Sequence, residues 1–293
     1  MFDIGRVFST SFAMLRERLW PLAGMWAVFL AIQMAAYTVL SVVIAVVGIA
    51  GIAGLGFAID DPASASALSG IGIGVFVMMA LFFAAYLMLA FAQQAAMVTL
   101  ASPLERAAFG DAMLRGFRTC LPFLAISVLL TIGYIAFTLV IMAIMSALAL
   151  TGSAGAGVFG GLVGLASLPL MLFLACRFAV LVPVVAVDQV FSPIAALRRS
   201  WSVTRGKALR IFLALLGFFG IAMVAVLLPF ALIFVAADMA QDNTGLGLLL
   251  MGLGFLVFVP VGIGFMLYTA TFTAALHCEV TGGGAERLEE VFA

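Results

Sequence analysis

Few side chains in this sequence could do chemistry, and Arg177 is the sharpest of them. It stands in an apolar run, FLACRFAVLVPVVAVD, that ends at Asp188. In one continuous helix it would lie roughly 16 Å deeper than Asp188, at about 1.5 Å per residue. Leaving a guanidinium in hydrocarbon costs at least about 2.5 kcal/mol, so this one must be paired, hydrated or set against a lipid phosphate. The partners on offer are Gln93, Gln94, Asp188 and Glu279. One reading is a structural clamp between helices, and the other is a ligand or lipid contact. Gln93 and Gln94 read as an interhelical hydrogen-bonding pair or as the lining of a polar path.

The second candidate is the segment Ser192 to Phe212. It holds Arg198, Arg199, Arg205, Lys207 and Arg210, five of the thirteen Lys and Arg residues. Phospholipid headgroups are one target for such a cluster, and Trp201 suits the membrane interface. Ordinary anchoring of topology is the other use. His277 and Glu279 fall at the end of an apolar run, where an isolated histidine reads as interfacial. Gly282-Gly283-Gly284 reads as a chain breaker, not a phosphate loop, because no strand precedes it and no Lys-Ser/Thr follows. The sequence carries no Ser-His-Asp, HExxH or Walker pattern. Its three cysteines match no metal spacing, so no cofactor is expected.

The elements that position these residues are set by composition. The chain of 293 residues is 66% hydrophobic and 9% charged, against about 25% charged in soluble domains. Such a sequence needs the bilayer as its solvent. Six apolar runs are long enough to cross it: about 22–57, 71–100, 121–150, 158–187, 211–237 and 246–276. The segments on one side hold Arg6, Arg16, Arg18, Arg106, Arg115, Arg118, the basic cluster and Arg287. The three loops on the other side hold Asp60, Asp61, Asp238 and Asp242, with no Lys or Arg. This asymmetry predicts that both termini are cytoplasmic. With no basic domain projecting from the membrane, nucleic acid is not an expected partner.

Three short segments of mixed polarity, near 2–19, 103–120 and 192–209, predict amphipathic helices lying close to the membrane plane. Ser102-Pro103 and Ser192-Pro193 read as N-caps with proline at the first helical position. Arg115-Gly116 and Arg205-Gly206 recur at the same spacing after them, and Ala13 to Arg16 matches Ala112 to Arg115. The expected organisation is one membrane domain of three repeated units, each a surface helix followed by a hairpin. The boundaries are 1–19 for the first surface helix, 20–100 for the first hairpin, 101–187 and 188–276 for the next two units, and 277–293 for a tail. The fold class is all-α and polytopic.

Arg177-Phe178, the stretch VPVVAVD, and PIAALRRSWSVTRGKALRIF together resemble the membrane domain associated with some bacterial glycerophosphodiester phosphodiesterases, and related stand-alone six-span proteins. The resemblance implies a membrane arginine, a proline-bearing helix end, an acidic residue and an Ala-Leu-x-x-Ser-Trp helix, here Ala196 to Trp201. No catalytic domain is expected after the sixth span, and with one histidine in the chain the hydrolase activity is not expected to transfer. The leading expectation is a non-enzymatic protein that binds or handles lipid, in particular anionic phospholipid, or that organises a membrane-protein partner or homo-oligomer. The alternatives are a transporter with a midplane site near Arg177 and, third, an enzyme acting on a lipid headgroup.

Overall fold

The computed structural model describes residues 2–54, 62–149 and 153–283. Its elements are α1 (Ile4–Glu17), α2 (Leu19–Gly54), α3 (Pro62–Ala101), α4 (Phe109–Arg118), α5 (Cys120–Ala149), α6 (Ser153–Phe178), α7 (Leu181–Ala186), α8 (Pro193–Val203), α9 (Ala208–Asp242) and α10 (Thr244–Val280). Six stretches are long and apolar enough to cross a membrane: Leu19–Val46, Phe76–Ala101, Cys120–Ala147, Gly160–Ala186, Ala208–Gln241 and Thr244–Val280. The protein is therefore an all-α polytopic membrane protein. Its long helices are apolar all round, as membrane spans must be. Leu81, Val224, Phe234 and Leu256 accordingly stand exposed on their outer faces.

The buried core gathers at one end of the bundle, the end that carries the basic residues. Leu22, Met25 and Phe29 from the start of α2 meet Ala92 to Ala101 from the end of α3. Val180 to Ala186 and Tyr268 to Val280 complete it. The three short amphipathic helices lie at this end. Each buries a stripe at helical spacing: Val7, Ser11 and Met14 of α1; Ala112 and Gly116 of α4; Ala196, Ser200 and Val203 of α8. They dock in a regular order. Helix α1 packs on α10, α4 on α3, and α8 on α7, α6 and α5. Thus α4 and α8 sit on the returning helix that precedes them, and α1 sits on the last one. Phe8 against Phe272 at 5.5 Å and Phe12 stacked on Tyr268 at 4.7 Å fix that closing contact.

Several boundaries differ from the sequence expectation. Ser102 does not start a helix: α3 ends at Ala101, and α4 begins only at Phe109. The Ser102 hydroxyl instead accepts from Leu104 N–H at 3.3 Å in a local turn. Ser192 does precede Pro193 at the start of α8, although its side chain makes no capping bond. The fourth run is not continuous, because the helix breaks at Ala179-Val180. The stretch from Thr151 to Gly157 is not all loop, since α6 starts at Ser153. Likewise the last of the three loops without Lys or Arg shrinks to Asn243, whose side-chain oxygen caps α10 by accepting from Leu246 N–H at 3.1 Å. Residues 55–61, with Asp60 and Asp61, and the tail from Gly284 lie outside the described residues.

The α9–α10 hairpin closes through glycines. A Cβ on Gly254 would meet Ile233 Cγ1 at 2.5 Å, and one on Gly247 would collide with the backbone of Ala240. The two glycines are seven residues apart, as are their partners, so the helices touch along one seam. Overpacking such a seam costs about 1–3 kcal/mol. Gly254→Leu should lower the melting temperature of the purified protein. Gly252→Leu, whose added atoms start in open space, should leave it within about 0.5 kcal/mol of wild type. Equal melting of the two variants would show that the seam is not tight.

Candidate functional site

The basic residues divide into those held by the fold and those left free. Arg177 is the second-last residue of α6 and almost fully buried. The break after Phe178 places it at a helix end and not deep within an unbroken span. Its Nη1 donates to the carbonyl of Trp201 at 3.2 Å and to Thr204 Oγ1 at 3.5 Å. Its guanidinium lies 4.6 Å from the centre of the Trp201 ring and 5.0 Å from that of Phe173. In return, the Ser200 hydroxyl donates to the carbonyl of Arg177 at 2.7 Å. Each helix thus satisfies a terminal carbonyl of the other, groups that have no partner within their own helix. The two ring contacts add roughly 0.5–2 kcal/mol each when shielded from water.

This overturns the expected partners of Arg177. Gln93 instead accepts from Gln33 Nε2 at 2.8 Å, joining α3 to α2. Gln94 is exposed beside it. Glu279 accepts from the backbone N–H of Asp3 at 3.0 Å and lies 3.9 Å from Arg6, tying the start of the chain to the end of α10. Asp188 belongs to another group. Its Oδ2 is 3.5 Å from Arg199 Nε and 3.4 Å from His277 Nε2. His277 is buried, contrary to the interfacial place read from the sequence. The group joins α8, α10 and the α7–α8 connection. Residue spacing could not reveal it, because His277 is far from Asp188 and Arg199 in the chain.

Of the headgroup candidates, Arg199 is thus engaged by Asp188, and Trp201 lies against Arg177. Lys207 is engaged too: its Nζ donates to the carbonyl of Val280 at 2.5 Å, at the end of α10. Arg18, not singled out by sequence, does the same for α3, donating to the carbonyls of Leu100 at 2.5 Å and Ser102 at 3.5 Å. A cation suits the negative end of a helix dipole. Arg198, Arg205 and Arg210 are exposed and make no ion pair among the described residues. An apolar groove of about 350 Å³ runs between α6 and α9, and Arg210 falls in the chain between two residues of its wall, Leu209 and Phe212. Pro169, Leu172, Phe173 and Cys176 form one wall; Ala208, Leu209 and Phe212 form the other.

The site offers cations and an apolar groove. Among the described residues no three His, Cys, Asp or Glu side chains converge as metal ligands. Comparison with protein-family models, curated proteins and solved structures returns no match.

Removing the Ser200 hydroxyl leaves the Arg177 carbonyl without its donor, so Ser200→Ala should cost about 1–2 kcal/mol. Arg177→Gln should lower thermal stability further and leave co-purified lipid unchanged. Arg177→Lys should fall between, since lysine keeps the charge without the planar stack. A stable Arg177→Gln variant that had lost lipid would reverse the assignment from clamp to ligand contact.

Proposed function

We propose that this is a non-enzymatic protein of the bacterial inner membrane that binds phospholipid on its cytoplasmic side. The observation that carries the reading is a set of exposed cations in no ion pair among the described residues, together with an apolar groove whose α9 wall, Leu209 and Phe212, brackets Arg210 in the chain. Arg198, Arg205 and Arg210 would meet the phosphates of anionic headgroups, worth about 1 kcal/mol per charge near the surface. The groove between α6 and α9 would take an acyl chain. The commitment of Arg177 to α8 weighs against a transport site built on that residue. Exposed apolar side chains on the short helices, Phe12, Phe109, Leu114, Phe117 and Ile194, suit helices lying in the interface beside basic residues. The regular docking of α1, α4 and α8 on successive returning helices favours three related units. From the resemblance we carry over a role for the membrane domain and not the hydrolase activity.

Native mass spectrometry of gently extracted protein tests the reading. Wild type should retain anionic phospholipid, and a variant with Arg198, Arg205 and Arg210 all changed to Gln should lose most of it at unchanged melting temperature. Equal retention by the two would sink the proposal. Orientation has its own test. In a cysteine-free background, Asn243→Cys should react with an impermeant maleimide in intact cells. Ser202→Cys should react only after permeabilisation, and its labelling from outside would invert the topology.

A further inference from the structure

The last basic residue before each outgoing span occupies a comparable place. Arg18 precedes α2, Arg118 precedes α5 and Lys207 precedes α9. Arg18 and Lys207 reach the carbonyls that end the returning helix of their own hairpin, α3 and α10. Arg118 does not. It is exposed, and its side chain makes no hydrogen bond or ion pair among the described residues. In place of the direct bond there is a cavity of about 420 Å³ where α4 faces the end of α7. That is within the usual range of about 300–1,000 Å³ for small-molecule sites.

The walls of this cavity are chemically specific. Asp111, Arg115 and Arg118 line it from α4, at positions i, i+4 and i+7 of one helix face. Gln189 lines the other side with a left-handed backbone, φ 56°. This conformation is uncommon for a residue other than glycine, asparagine or aspartate, and such outliers cluster at ligand sites. Arg115 is ion-paired with Glu105, so its charge is largely balanced. Asp111 and Arg118 remain, neither in an ion pair among the described residues. They are too far apart along the helix to reach each other easily, at about 1.5 Å per residue over seven residues. Opposite charges at the two ends of α4 suit its dipole. The dipole does not require that they border one cavity.

We infer that the cavity between α4 and the α7–α8 connection binds a zwitterionic phosphate group that carries an amine, with the phosphate on Arg118 and the ammonium on Asp111. A pocket with one free cation and one free anion discriminates against a simple anion, because Asp111 repels it. The inference rests on the lipid-binding reading above but uses none of the same cations. Its source is either the headgroup of an aminophospholipid in the membrane or a soluble phosphoethanolamine ester.

The test is native mass spectrometry of the full chain titrated with phosphatidylethanolamine or phosphatidylglycerol. Glycerophosphoethanolamine and inorganic phosphate serve as competitors. Wild type should retain phosphatidylethanolamine over phosphatidylglycerol at one saturable site. Arg118→Gln should weaken that retention about tenfold, as loss of one charge contact of about 1.4 kcal/mol does. Asp111→Asn should remove the preference between the two lipids, and Arg118→Lys should restore part of the retention. Displacement by glycerophosphoethanolamine shows that the headgroup alone suffices; displacement only by the full lipid supports a membrane source. Unchanged retention in Arg118→Gln overturns the site. Equally strong competition by inorganic phosphate overturns the zwitterion. The Arg198, Arg205 and Arg210 triple variant should keep this site, so each reading can fail without the other.

Discussion

The structure depends on one constraint: carbonyl groups at the ends of membrane helices need donors. The last four carbonyls of any helix have no partner within it, and hydrocarbon supplies none. Here the returning helices α3, α6 and α10 all end at the same side of the bundle, so their unpaired carbonyls and negative dipole ends are gathered together. Arg18, Ser200 and Lys207 donate to carbonyls at these three ends. Arg177 donates to the terminal turn of α8. The basic character of this side is therefore built into the packing. The rule that positive charge lies on the cytoplasmic side has a local counterpart here, since cations are used where the helix dipoles point.

The same constraint sorts structural from available charge. A guanidinium already bonded to a helix-terminal carbonyl and set against two rings, like that of Arg177, cannot leave for a ligand without giving up those contacts. Lys207 is held at the end of α10 in the same sense. What remains among the described residues is Arg198, Arg205 and Arg210 on one segment, Arg106 and Arg118 on another, and Arg16 on α1. The cluster of five that stands out in the sequence is thus two populations. Charge alone could not divide them, because the division depends on which carbonyl or carboxylate comes within reach after folding.

Much of the fold was legible in the sequence, for a local reason. Hydropathy over about twenty residues fixes a span regardless of its neighbours, and the mixed polarity before α2, α5 and α9 marked the three short helices. What failed was the step from matching residues to matching structure. Arg115-Gly116 and Arg205-Gly206 are the same dipeptide at the same spacing. Gly116 is inside α4, where a Cβ would meet the carbonyl of Ala92 at 2.5 Å; Gly206 is in a turn with φ 73° and open space around it. One glycine is there for close approach and the other for its backbone angle. Ser102 and Ser192 diverge in the same way. The partners of Arg177 and His277 were illegible because they come from elements brought together by packing, and a glutamine pair on a neighbouring span looked as suitable as a carbonyl.

The three short helices share a feature that sequence spacing does not capture. What recurs is a way of docking: a short amphipathic helix packs on one returning helix, and in the first and third units the basic residue after it reaches the next. For α4 and α8 the docking partner is the preceding hairpin. For α1 there is no preceding hairpin, and it packs on α10, the last. The start of the chain therefore closes onto its end, reinforced by the Asp3 N–H to Glu279 bond and by the rings of Phe8, Phe12, Tyr268 and Phe272. A closed ring of three dockings buries every short helix on one face and leaves the other facing the interface. It also explains why an irregularity in one unit stands out. The second returning helix breaks after Phe178 and resumes as α7. Beside its end lies the cavity that Arg118 and Ala186 line, where the other two hairpins have a direct bond from Arg18 or Lys207 to a terminal carbonyl.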